Sequence, residues 1–230
     1  MNIKPSPFSH PWDMTPIKAI ALQKRLASHV IRTSTLGKVT TVAGVDASYH
    51  DGIAQAAIAT LRFPDLTLLE YTVATLPISY PYVPGLLSFR EAPAVLKAFE
   101  QLKATPDLLI FDGHGIAHPR HFGLACHVGL LLDMPSIGCA KRRLCGQYQE
   151  PGRERGSVTL ITDGDNGNTT GSGTIGAVVR TRTGIKPVFV SIGHHVDLST
   201  AIDYVLACCK GYRLPETTRW ADRIAGGERP

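Results

Sequence analysis

The chain has 230 residues, of which 43% are hydrophobic, and a formal net charge of +5, with a pI of about 9.0. That suffices for one α/β domain spanning residues 1–230 with a sizeable core, leaves a second domain cramped, and favours an anionic partner such as nucleic acid. No apolar stretch approaches the ~20 residues of a membrane span, and the proline-rich start lacks a signal-peptide run, so a soluble protein is expected, and its cysteines, read below as reduced, point to the cytoplasm.

Residues 1–15 carry Pro5, Pro7 and Pro11 and are expected to be loosely ordered. Thr15-Pro16 then offers a cap followed by proline at the first helical position, and helical periodicity runs from Ile17 to Ile31. From Thr41 the period changes. Thr41–Asp46, Gln55–Phe63 and Leu66–Ile78 read as three strands joined by turns at His50-Asp51-Gly52 and Pro64-Asp65, an antiparallel meander. Pro81-Tyr82-Val83-Pro84-Gly85 is a stiff loop, because each proline fixes its own φ and extends the residue before it. Ser88-Phe89-Arg90-Glu91 matches a capping box at the head of a helix that continues through Leu102.

Asp107–Asp112, Pro119–Asp133 and Ser136–Ala140 read as strand, helix and strand, a βαβ unit that requires parallel pairing and hence a mixed sheet. Gly164–Gly173 reads as a turn between strands. Ile175–Arg180 and Val188–Ile192 are further strands, and Leu198–Cys209 reads as the final helix. The five cysteines, Cys126, Cys139, Cys145, Cys208 and Cys209, show neither CxxC spacing nor a histidine at ligand spacing, so they read as reduced structural residues.

Asp46 and Asp112 each end an apolar strand, where burying a carboxylate is costly unless a positive charge sits between them. If the strands are neighbours the two converge, with Glu91 able to join them, and oxygen-only ligation suits Mg²⁺ or Mn²⁺. An acid after a strand also serves as a turn or cap residue, and Glu91 already fits the capping box. The stretch Asp112-Gly113-His114-Gly115-Ile116-Ala117-His118-Pro119-Arg120 joins an acid, two glycines and two histidines ahead of a helix. Such a loop allows a ligand close to the backbone, although a glycine-softened turn has the same composition. Lys141 opens the basic run Lys141-Arg142-Arg143, either a solvated face or a support for negative charge on a phosphate. His194 is either a cap-region histidine or a phosphate or metal contact.

In order along the chain, the meander with Asp46, Pro81-Tyr82-Val83-Pro84, Glu91, Asp112 to His118, Gly138-Cys139-Ala140-Lys141 and Gly193-His194 resemble the endonuclease V family. Gly211–Glu216 and Thr218–Asp222 resemble its bacterial branch, and the likeness runs from about Val42 to Ala225. The resemblance implies a ribonuclease H-like fold and a cut, dependent on Mg²⁺ or Mn²⁺, at the second phosphodiester bond 3′ to a deaminated base, chiefly hypoxanthine. The products would carry a 3′-hydroxyl and a 5′-phosphate. It implies that Asp46, Glu91 and Asp112 are the catalytic metal-binding acids, that His118, Lys141 and His194 are active-site residues, and that Tyr82 is a wedge. Under this reading Pro81, Val83, Pro84, Gly113, Gly115, Gly138, Arg142 and Arg143 contact nucleic acid. Relatives commonly carry arginine where this chain has His195. The expected partner is single- or double-stranded DNA containing deoxyinosine, met by a monomer. An inosine-specific ribonuclease, a lesion-binding module without catalysis and a hydrolase of small nucleotides are the alternatives.

Overall fold

The computed structural model describes residues 6–163 and 173–230, so the turn expected over Gly164–Gly173 lies, but for Gly173, outside the described residues. Helix α1 (Pro16–Ala27) begins as the cap predicts: the Thr15 hydroxyl accepts the Lys18 amide, and Pro16 occupies the first turn. It stops short of the expected Ile31. The start expected to be loosely ordered is held down from Ser6 onward. Trp12 packs against Phe89 and His127, and the Nε2 atoms of His10 and His127 lie 2.7 Å apart.

Strands β1 (Thr41–His50), β2 (Ile53–Arg62) and β3 (Leu68–Pro77) form the expected meander. The first turn is made by Asp51 and Gly52, both at positive φ. Helix α2 (Leu87–Phe99) is followed by β4 (Leu108–Phe111), α3 (Leu124–Leu132) and β5 (Ser136–Ala140), with β1, β4 and β5 parallel. The helix expected from Pro119 starts only at Leu124. Before it, the loop closes on itself: the His118 ring accepts the Arg120 amide, and the Gly115 carbonyl accepts the Gly123 amide. Strands β6 (Val158–Thr162), β7 (Thr174–Val179) and β8 (Val188–His194) complete an eight-stranded mixed sheet of order β3-β2-β1-β4-β5-β8-β7-β6. Helix α4 (Leu198–Ala207) is not the last, because α5 (Glu216–Ala225) follows it.

The alternation of side chains across the strands assigns the helices to faces. Ala43, Val45, Leu109 and Phe111 point towards α2 and α3, burying Ala92, Val95, Ala125 and Val128. Val42, Leu108, Ile110 and Ile137 point the other way, towards Ala201 and Val205 of α4. On that second face Ala57 and Ala59 meet Ala221, Ile224 and Ala225 of α5. Among the described residues no helix is long and apolar enough to cross a membrane.

Candidate active site

Asp46 and Asp112 share the parity of Val42, Leu108 and Ile110, so both side chains project from the face that carries α5. Asp46 lies within β1 rather than at its end, paired with Ala57, while Asp112 directly follows β4 and donates its amide to the Val45 carbonyl. The parallel register Val45 to Phe111 therefore sets the two carboxylates side by side. Helix α5 supplies a third, Asp222, and ligand oxygens of Asp46, Asp112 and Asp222 all lie within 4.8 Å of one another. The approach of α5 is set by Gly44, two residues before Asp46 on the same face: a methyl group there would overlap the Thr217 carbonyl.

Sequence reasoning missed Asp222 because α5 went unread. Its buried face is Thr217, Thr218, Ala221, Ile224 and Ala225, helical in spacing yet disguised by two threonines. Pro215 ahead of Glu216, followed by a Glu216–Arg219 pair three residues apart, was the available signal.

Glu91 departs from its expected place. Its helix lies on the opposite face of the sheet, and its buried carboxylate accepts the Tyr49 hydroxyl at 2.6 Å instead of joining the three aspartates. The capping box does not form either: Leu86 occupies the cap position without a side-chain bond, and the Ser88 hydroxyl pairs with the His127 ring at 2.9 Å. Burial, and more weakly the Asp112 charge, push Glu91 up to about 7 against the opposing Tyr49 bond.

Lys141, just past β5, closes the cluster with its ammonium 2.6 Å from Asp112 and 3.1 Å from Asp222. Burial works against that charge, but the two ion pairs prevail and hold its pKa above the ordinary lysine value. Burial and then the Asp112 carboxylate push Asp46 up to about 8, and burial also raises Asp112 despite the Lys141 bond. At an effective dielectric of about 20, like charges about 4–5 Å apart repel by roughly 3–4 kcal/mol. Three carboxylates facing one ammonium thus lack positive charge, and an all-oxygen donor set of this kind fits a hard divalent cation.

Next to Asp112, Gly113 lines a cavity of about 150 Å³ beneath the Pro81–Gly85 loop, also bordered by Tyr82, Val83, Pro84, His114 and Leu124. A largely apolar cavity of that size takes an aromatic ring. Tyr82 stands at its rim with 71% of its surface exposed. The loop is fastened through one atom: the Gly85 carbonyl accepts from Gln23 at 3.0 Å, the His118 Nε2–H at 3.0 Å and Arg120 at 2.6 Å. His118 is thereby committed to the loop rather than standing with the acids. Burial and then Arg120 hold it at about 4, so its ring is neutral. His114 is neutral for the same first reason, also at about 4, and its buried Nδ1 has no hydrogen-bond partner among the described residues.

Gly113 is the one predicted glycine that reaches the cavity. The Gly115 amide is taken by the Ser191 hydroxyl at 2.9 Å, and Gly138 packs against the Gly113–Gly115 backbone with no space for a side chain. Arg142 and Arg143 are exposed beyond Lys141, with Arg143 donating to the Gly146 carbonyl.

His194 lies far from these groups in the sheet. Strand β8 runs antiparallel to β5, so His194 pairs with Ser136 at the start of β5, whereas Lys141 follows its end. The buried His194 ring accepts the Ile31 amide at Nδ1, and His195 lies 2.9 Å from Asp133. The active-site role expected for His194 finds no support in this placement.

A mixed sheet that opens with an antiparallel meander and gathers carboxylates where its first and fourth strands run side by side has the ribonuclease H-like arrangement of metal-dependent nucleases. Comparison with known proteins narrows this class: the Endonuclease V family profile matches residues 24–223. The chain is 51% identical over 223 residues to endonuclease V of Roseiflexus castenholzii, covering 97% of each. It superposes on endonuclease V of Streptomyces avermitilis with a TM-score of 0.85 at 41% identity, over 94% of this chain and 93% of that one. Endonuclease V of Ciona intestinalis, solved with a 24mer DNA containing an inosine followed by a ribo-adenosine, gives 0.79 at 27% identity over 91% of this chain and 95% of that one. The chain belongs to the endonuclease V family.

Proposed function

We propose that the protein nicks DNA at the second phosphodiester bond 3′ to a deaminated base, hypoxanthine above all, with Mg²⁺ or Mn²⁺ held by Asp46, Asp112 and Asp222. The observation that carries this is the adjacency of the acid cluster and the ring-sized cavity, joined by the Asp112–Gly113 peptide. When bound, such a cation neutralises charge on the phosphate and lowers the pKa of the attacking water. In the hydrolysis the water oxygen bonds to phosphorus as the P–O3′ bond breaks, leaving the 5′-phosphate, and O3′ takes a proton to become the 3′-hydroxyl. Lys141 places a permanent positive charge beside that phosphate and supports the negative charge developing on its oxygens. Glu91, on the far face, adds negative potential behind Asp112.

Base selection falls to the cavity. An extruded hypoxanthine stacks among its apolar walls, and the Gly113 backbone and the neutral His114 ring, which line the cavity together with Gln23, Ser88 and His118, are polar groups available to its hydrogen-bonding edge. The exposed Tyr82, stiffened by Pro81 and Pro84, fills the gap left in the stack. His118, Gln23 and Arg120 keep that loop in register. The test is to map products on end-labelled strands carrying one deoxyinosine, with and without Mg²⁺, beside matching RNA strands carrying inosine. A metal-dependent cut at the second bond 3′ to the lesion is expected in DNA. Cleavage confined to RNA would replace the assignment with an inosine-specific ribonuclease.

A further inference from the structure

Beyond the acids lies an open groove of about 520 Å³, lined by Lys141, Tyr212, Arg213, Arg219, Asp222 and Arg223. It shares no lining residue with the ring-sized cavity. The acid cluster borders both concavities, since Gly113 follows Asp112 on one side while Lys141 and Asp222 line the other. Four cationic side chains border the groove, three of them in ion pairs, Lys141 with Asp112 and Asp222, Arg219 with Glu216 and Arg223 with Glu228, and the donors these pairs leave over can reach the phosphates of a polyanion.

Its floor is rigid. Arg213 is fixed to the carbonyls of Lys141 and Pro187 at 2.6 and 2.8 Å. The Arg219 guanidinium lies 3.3 Å from the Tyr212 ring centroid and is itself held by Glu216 at 2.7 Å. Tyr212 nonetheless keeps 51% of its surface exposed. An aromatic ring backed by a cation on one side and open on the other is a stacking surface for a base, and stacking of this kind tolerates any sequence.

Strand polarity then follows from the proposed cleavage, on which this inference rests. If the damaged base occupies the cavity and the cut falls 3′ to it, the strand passes from cavity to acids in the 5′ to 3′ direction. Continued past the acids, it enters the groove. We propose that the groove binds the strand 3′ of the cut, the part that leaves with the 5′-phosphate, and that Tyr212 stacks on a base of that segment.

The experiment measures KM and kcat on single-stranded DNA carrying one deoxyinosine, with a constant 5′ arm and a 3′ arm lengthened stepwise from one nucleotide beyond the cut. Wild type, Tyr212→Ala and Tyr212→Phe are compared. Wild-type KM should fall as the arm lengthens. Tyr212→Ala should raise KM about tenfold on the longest arm, the equivalent of one lost stack, by a factor that shrinks as the arm shortens. Tyr212→Phe should behave as wild type. Equal losses at every arm length would reduce Tyr212 to a prop for Arg219 and α5, and KM values matching wild type throughout would dismiss it altogether. Either result overturns the inference while leaving the cut itself intact. A wild-type enzyme that fails to cut at the second bond on any arm would bring down the cleavage reading first.

Discussion

Among the described residues two clusters of side chains able to ligate a metal lie in different parts of the fold, and both bring ligand atoms within 4.8 Å: Asp46, Asp112 and Asp222 in one, Asp133, His194 and His195 in the other. Their electrostatics are opposite. In the first, burial and mutual repulsion raise the pKa values of Asp46 and Asp112, so the site lacks positive charge. In the second, bonds from His195 and His194 lower that of Asp133, and His194 already accepts the Ile31 amide. That bond leaves the His194 proton on Nε2, the atom facing Asp133, where a metal would need a lone pair. Proximity of ligands alone therefore does not make a metal site; an unmet demand for charge does.

The contrast breaks most sharply on activity. Asp222→Asn keeps the shape of the acid cluster while removing a charge, and single-turnover cleavage of an inosine strand should fall by more than about 100-fold. His194→Ala should leave the rate constant within about twofold, because β8 places it at the opposite end of β5 from Lys141. Comparable losses in both variants would erase the distinction between the two clusters.

A second effect belongs to the histidine cluster. His194→Ala leaves the Ile31 amide without its buried partner, a cost of about 2 kcal/mol, equivalent to a fall of roughly 4–8 °C in Tm for a chain of this size. Thermal melts above pH 7 isolate this loss. Below that the wild type weakens too, since the folded His194 titrates only at about 4 while the unfolded imidazole protonates near 6.5. Stability from that group is present above about 6.5 and is lost as the pH falls towards 4. A variant that melts with wild type would sink the structural assignment.

The smallest effect sharpens the electrostatic half of the comparison. The folded Asp46 carboxyl titrates at about 8 and the unfolded one near 4, so the fold without a cation loses stability as the pH rises through that window. Mg²⁺ should therefore raise Tm by a few degrees at pH 8 and by little at pH 5.5, where protons already neutralise the site. Asp46→Asn should flatten the difference. A shift independent of pH would count against cation binding at these acids.

The parts of this fold legible in the sequence were those governed by local period. The meander and the β4–α3–β5 crossover follow from apolar alternation and turn residues, whereas the meeting of Asp46 with Asp112 was legible only on condition that their strands are neighbours, which the β1–β4 register supplies. What stayed hidden depended on contacts between distant segments. Ser88 and Glu91 have the right spacing for a capping box, but His127 and Tyr49, brought over by tertiary packing, take their polar atoms. Gly115 and Gly138 look like ligand-facing glycines, yet the crossing of the loop over β5 and β8 leaves them no space. His194 changed its meaning once β8 proved antiparallel to β5. Asp222 lies in a stretch noticed for its likeness to relatives, but a helix whose inner face includes two threonines does not announce a catalytic position.

Gly44 supplies no ligand atom, yet it determines how closely α5 and its carboxylate approach the other two. Main chain rests on main chain there, with no side chain to give way, so a single added carbon would act as a shim under α5. The geometry of hydrolysis in this protein is thus gauged by a hydrogen atom on a buried strand, out of reach of everything it serves.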